Sequence, residues 1–296
     1  MSWAAHEFEN YFLQKHVGVK ASFLALVLGA LAPDLFTKFF VYSQSPAEAA
    51  AFHRGWPGVG PTHSLMFGVV FAVAVLALTK SRGWALGILI GQWAHVLTDF
   101  ADSAGTMPFF PFSTEPVTIN MWKHAAAEGR YGDAAAYYSS LGGVWDFFWL
   151  IMVLAFAWRT LKADYFRNVI IVADARAWGW IHRRLHLPEA GLLWLYRGFL
   201  FYGMGRMISW FLYARFDART PFQPTWGGPA YIAGNDLSDA GWVEVAVRTG
   251  IGGVLFVAFL FLCWKLFGRR LWDRGYDPPA GERGTGLKAV FGHATT

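Results

Sequence analysis

Residues 84–100 read WALGILIGQWAHVLTDF, an apolar run whose strongly polar members fall at helical spacing. Gln92, His95 and Asp99 share one face, and Asp102 follows about a turn later. The apolar residues are continuous rather than alternating, which favours a helix over a barrel strand. Four more runs approach the 17 to 25 residues that a spanning helix needs: Val19 to Tyr42, Ser64 to Thr79, Gly142 to Leu161 and Gly250 to Phe267. Leu192 to Ala214 is a sixth of sufficient length, although it carries Arg197 and Arg206. Trp3 to His16, with Glu7, Glu9 and Lys15, is too short and too polar to cross. The pattern predicts an all-α fold, a polytopic transmembrane helical bundle of about six spans plus a short N-terminal helix.

Composition points the same way. Of 296 residues, 55% are apolar and only 15% charged, with 27 Phe and 16 Trp. Mean hydropathy is +0.32. So few polar side chains could not cover a water-exposed globule, and disorder is excluded. The single cysteine, Cys263, removes disulfide frameworks and cysteine-rich zinc modules, so any metal must rest on His and carboxylates.

The net charge of +5 sits in short basic segments beside apolar runs: Lys80 and Arg82, then Arg159 to Arg184, then Lys265 to Arg274. This is the distribution of cytoplasmic anchors, not the aromatic-interleaved stripe of a nucleic-acid binder. Six alternating crossings satisfy it with the C-terminus in the cytoplasm of a bacterial inner membrane. Ser43 to Thr62, Ala101 to Leu141 and Arg215 to Thr249 then lie on the opposite side. A competing parse takes Ala30-Leu31-Ala32 as a signal-peptide cleavage site, against which stand the two glutamates before it and the apolar run continuing to Tyr42. The chain divides into a motif-rich segment over 1–112, further helices and loops of the same bundle over 113–276, and a polar tail over 277–296.

Ionisable groups in or beside apolar runs are costly and mark functional candidates. Besides His95, Asp99 and Asp102, Asp34 follows Pro33 late in the first run, while His53 lies in the next loop and His63 at the start of the second run. His6 can join them only if the N-terminal helix doubles back on the first run through Lys15 to Lys20. His with Asp is a ligand set for zinc and other divalent metals, and a bound ion removes the cost of placing these groups there. A hydrogen-bonded His/Asp pair and a proton relay of transporter type are the alternatives.

Ala5-His6, Leu31-Ala32-Pro33-Asp34, Gly60-Pro61-Thr62-His63-Ser64-Leu65 and His95-Val96-Leu97-Thr98-Asp99, followed by Gly105 and Pro108, stand in an order that resembles the YdjM-like family. These are LexA-binding, inner-membrane-associated metal-dependent hydrolases. The resemblance covers about the first 112 residues and implies that His6, Asp34, His63, His95 and Asp99 line a metal site. Three departures stand out. Leu35 to Thr37 replace the family's second Asp and His, Trp56 to Pro61 separate His53-Arg54-Gly55 from Thr62-His63-Ser64, and Asp102 occupies a position where the family has Thr.

A bound metal, zinc first among divalent ions, lowers the pKa of water from 15.7 toward about 7 and polarises a carbonyl or phosphoryl oxygen. Metal-dependent hydrolysis is therefore the leading function. His63, His95 and Asp99 are the principal ligand candidates, and Asp34, His6 and His53 the further ones. Asp102 is the candidate general base, and Arg54 the group to hold an anionic substrate. At the non-cytoplasmic interface the substrate would be a lipid or a lipid-linked phosphoester, with membrane lipids as partners and no nucleic acid. An ion-coupled transporter and a structural membrane subunit are the other readings. Transporters duplicate broken helices in both halves, whereas this polar cluster occupies the N-terminal half alone. Arg206, flanked by Gly203 and Gly205, needs a carboxylate such as Asp146 or a polar cavity. His182 and His186, with Arg183 and Arg184 between them, read as a surface amphipathic helix.

Overall fold

Ser81 ends a turn in which Lys80 takes the left-handed conformation, and its side chain accepts the backbone N–H of Trp84. This cap sets the start of a helix that carries two of the candidate ligands. The computed structural model describes residues 5–41, 61–101, 106–113, 115, 117, 118, 141–212, 254, 258 and 260–269. No strand occurs among them. In chain order the main helices are α1 (Ala5–Val17), α2 (Phe23–Val41), α3 (Leu65–Thr79), α4 (Arg82–Thr98) and α5 (Leu141–Met152). An irregular helical stretch over 153–173, with π turns at Val153–Ala157 and Phe166–Ile170, leads to α6 (Ala175–Leu185) and α7 (Glu189–Leu212).

The all-helical expectation stands, but the six-span transmembrane bundle does not: among the described residues no helix is long and apolar enough to cross a membrane. At 1.5 Å per residue α3 and α4 reach only about 22 and 26 Å, against roughly 30 Å of hydrocarbon. The run Gly142 to Leu161 changes helical type at Val153 and again at Trp158. The longest helix, α7, keeps Arg197 and Arg206 in its interior. Loop sidedness and a cytoplasmic C-terminus, both deduced from alternating crossings, lose that basis.

Glycine fixes the tightest packing, between α2 and α4. A Cβ on Gly91 would lie 2.2 Å from the Leu26 carbonyl oxygen, one on Gly29 2.4 Å from that of Ile88, and one on Gly87 2.7 Å from that of Ser22. With no side chain at these points the two backbones touch. Phe67, Phe71, Ala72 and Val75 of α3 then close over Ala25 and Ile88.

A second core gathers on the other side of α2. Phe8 and Tyr11 of α1 pack with Phe23, Phe166, Trp178, Leu192, Tyr196 and Leu200. Although too polar to cross a membrane, α1 is buried on all sides from Ala5 to Tyr11. Its polar side chains tolerate this because several find partners. Tyr11 donates to the Tyr196 carbonyl and accepts the Leu200 N–H, Asn10 donates to the His6 carbonyl, and Glu7 pairs with Arg206 of α7 at 3.3 Å.

Asp174, at the end of the irregular stretch, caps α2 from afar. Its Oδ2 accepts the backbone N–H groups of Phe23 at 2.8 Å and Leu24 at 3.3 Å. Burial pushes its carboxyl up to about 6. The folded state therefore holds this proton between pH 3.8 and about 6, where the unfolded chain has released it. That contribution is complete below about pH 4 and lost as pH rises through about 6, a difference of about 3 kcal/mol. Asp174→Asn keeps an oxygen acceptor and cannot ionise. Relative to the parent, its melting temperature is expected to rise steadily from pH 4 to pH 7; a constant offset across that range refutes the assignment.

Candidate metal centre

The stripe Gly87, Gly91, His95, Asp99 runs along α4 at intervals of four. The glycines press α4 against α2, so the next two members arrive beside the turn containing Pro33 and Asp34. His95 Nδ1 reaches the Ala30 carbonyl at 2.6 Å. Asp99 ends α4, its own N–H bonded back to the His95 carbonyl. His63 comes from a single 3₁₀ turn, Pro61–His63, just before α3. Gln92 holds that turn, donating from Nε2 to the carbonyls of Thr62 at 3.0 Å and Ser64 at 2.9 Å. The 3₁₀ turn Gly18–Lys20 reverses the chain and returns α1 along α2, bringing His6 within 3.4 Å of Asp99.

Five side chains thus meet in the interior: His6, His63, His95 and Asp99 are at most 2% exposed, and Asp34 7%. His95 Nε2 lies 3.3 Å from His63 Nε2, 3.4 Å from Asp99 Oδ2 and 4.0 Å from Asp34 Oδ1. His63 Nε2 is 3.6 Å from both Asp34 Oδ1 and Asp99 Oδ2. Donors about 2.0 to 2.1 Å from a tetrahedral ion stand about 3.4 Å from one another. The observed separations match that spacing. Two overlapping groups could hold a metal ion, His6 with His95 and Asp99, and Asp34 with His63 and His95.

Each imidazole is oriented by a partner on its outer nitrogen. Ala30 O can only accept, so His95 Nδ1 carries the hydrogen and Nε2 presents its lone pair inward. His6 Nδ1 faces Glu9 Oε1 at 3.0 Å, with the same result. Thr62 Oγ1 engages His63 Nδ1 at 3.1 Å. The Nε2 atoms of His6, His63 and His95 and the carboxylates of Asp34 and Asp99 thus face one another, a set of groups that fits a divalent cation. Burial alone would push His6 down, but the Glu9 and Asp99 carboxylates overcome that and hold it up at about 10.

His53, Arg54 and Asp102 lie outside the described residues. Arg206 meets a carboxylate as its position demanded, with Glu7 in that role. His182 Nδ1 bonds to the Leu187 carbonyl and His186 closes the end of α6 in the left-handed conformation, both as parts of a helix terminus. Reading the sequence alone missed Glu9, Thr62 and the Ala30 carbonyl as the outer partners of the three imidazoles. Only Glu9 left a trace there, three residues after His6 on one helix.

The family model described as YdjM inner membrane protein matches residues 4–207. No curated protein and no solved structure matches the chain.

Proposed function

Since the chain belongs to the YdjM inner membrane protein family, we propose that it is an inner-membrane-associated, metal-dependent hydrolase with zinc as its ion. The observation that carries this reading is the pair of facing Nε2 atoms of His63 and His95, 3.3 Å apart and both flanked by Asp99. A His/Asp hydrogen-bonded pair would use two of these groups, whereas five converge. His63, His95, Asp99 and Asp34 hold the ion, with His6 at the Asp99 edge. An ion held there lowers the pKa of water and polarises the bond to be cleaved. Ala30, Thr62 and Glu9 keep the imidazole lone pairs turned inward, so no reorganisation is needed when substrate arrives. Arg54 is assigned to an anionic substrate group and Asp102 to proton transfer. The proposed substrate is a lipid or lipid-linked phosphoester drawn from the membrane.

The test uses the full chain in lipid, offered phosphoester, acyl ester and amide substrates, before and after chelation. Phosphoester turnover is expected to fall at least about tenfold on chelation and return with zinc, since activation of water is the ion's contribution. Protein that binds metal yet hydrolyses none of the three classes overturns the reading, and proton-coupled uptake into vesicles would put a carrier in its place.

A further inference from the structure

We infer that Glu9 is a positioning residue of the metal centre, fixing the hydrogen of His6 on Nδ1 so that Nε2 faces Asp99. The inference rests on the metal reading above. Glu9 sits three residues after His6 on α1, 2% exposed, with Oε1 3.0 Å from Nδ1. The opposite ring nitrogen lies 3.4 Å from Asp99 Oδ1, and the ring stacks on His95 with centroids 3.8 Å apart. Asn10 secures the backbone of the same turn through its bond to the His6 carbonyl.

Charge supports the assignment. Glu9 Oε2 is buried and has no hydrogen-bond partner among the described residues. A carboxylate in that position is expensive unless positive charge lies close by. The other carboxylate of this turn, Glu7, is matched by Arg206. For Glu9 the counterpart is the His6 ring, whose Nδ1 faces Oε1 at 3.0 Å. A carboxylate behind a ligating imidazole raises its basicity and fixes its tautomer. Neither packing nor helix formation requires Glu at this position.

The experiment measures zinc affinity by chelator competition on the full chain, for the parent, Glu9→Ala, Glu9→Gln, His6→Ala and the double variant His6→Ala with Glu9→Ala. Visible spectra of the cobalt-loaded proteins are recorded alongside. Glu9→Ala is expected to weaken binding about 10- to 100-fold. Glu9→Gln, whose amide oxygen still accepts the Nδ1 hydrogen, should recover part of that loss. In the His6→Ala background, Glu9→Ala should change affinity by less than about threefold, because the ring it orients is gone. The cobalt bands of Glu9→Ala should shift toward those of His6→Ala. Parent-like affinity in Glu9→Ala, or an equal loss with and without His6, overturns the inference. Should Glu9→Ala fail to fold, Glu9→Gln decides, and an unchanged affinity and spectrum then overturns it. A parent that binds no zinc sinks the metal reading itself, whereas a zinc-binding parent indifferent to Glu9 sinks this inference alone.

Discussion

His95→Ala is expected to leave the purified protein with less than about a tenth of the parent's bound metal, and to weaken zinc affinity by more than about 100-fold, beyond the loss typical for an outer partner of a ligand. Among the described residues His95 is the one member common to both candidate groups. Its Nε2 lies within 3.3 to 4.0 Å of His63, Asp99 and Asp34, and its ring is stacked on that of His6. Alanine removes a donor and also the surface against which His6 rests. His95→Gln, closer in volume, separates metal loss from misfolding: it should melt near the parent temperature and still fail to hold the ion. Elemental analysis after gel filtration reads the outcome, and a full complement of metal in either variant rules out a centre built on this residue.

Gly91→Ala carries the second large effect. The added methyl would stand 2.2 Å from the Leu26 carbonyl oxygen and 2.8 Å from the Ala30 nitrogen. Both obstacles are backbone, so no side chain can rotate away and α2 must separate from α4. Overpacking of this kind typically costs about 3 kcal/mol, and in a chain of this size lowers the melting temperature by about 5 °C. Separation also draws His95 from the Ala30 carbonyl, so metal affinity should fall with stability. Gly198→Ala is the internal control. Its Cβ meets nothing within 4 Å, and alanine is the better helix former, so this variant should melt at or slightly above the parent. Equal behaviour of the two variants would refute close α2–α4 contact.

The helical class was legible from hydropathy because continuous apolar runs leave few other choices. The membrane-crossing assignment failed because an apolar run in the sequence does not fix where its helix starts, ends or changes type. In the run Ser64 to Thr79, Phe67, Phe71 and Val75 are consumed by contacts with α2 and α4, and the helix ends at a capped turn after too few residues. The stripe of Gln92, His95 and Asp99 could be read from spacing alone, since it lies on one helix. Gln92 belongs to it for another reason, as the clamp on the turn before α3. The partner of Arg206 could not be assigned from spacing, because Glu7 lies on a helix far away in the chain. Glu7, Glu9 and Lys15 showed that α1 does not cross, but not that partnered polar side chains let it lie in the interior.

The attachment of α1 has a consequence for biosynthesis. During synthesis α1 emerges before two of the partners that lock it, Leu200 for Tyr11 and Arg206 for Glu7, 189 and 199 positions later. His6 therefore gains its full support only once α7 has been made. A polypeptide cut short ahead of α7 would carry the other four ligand candidates with α1 missing both of these contacts.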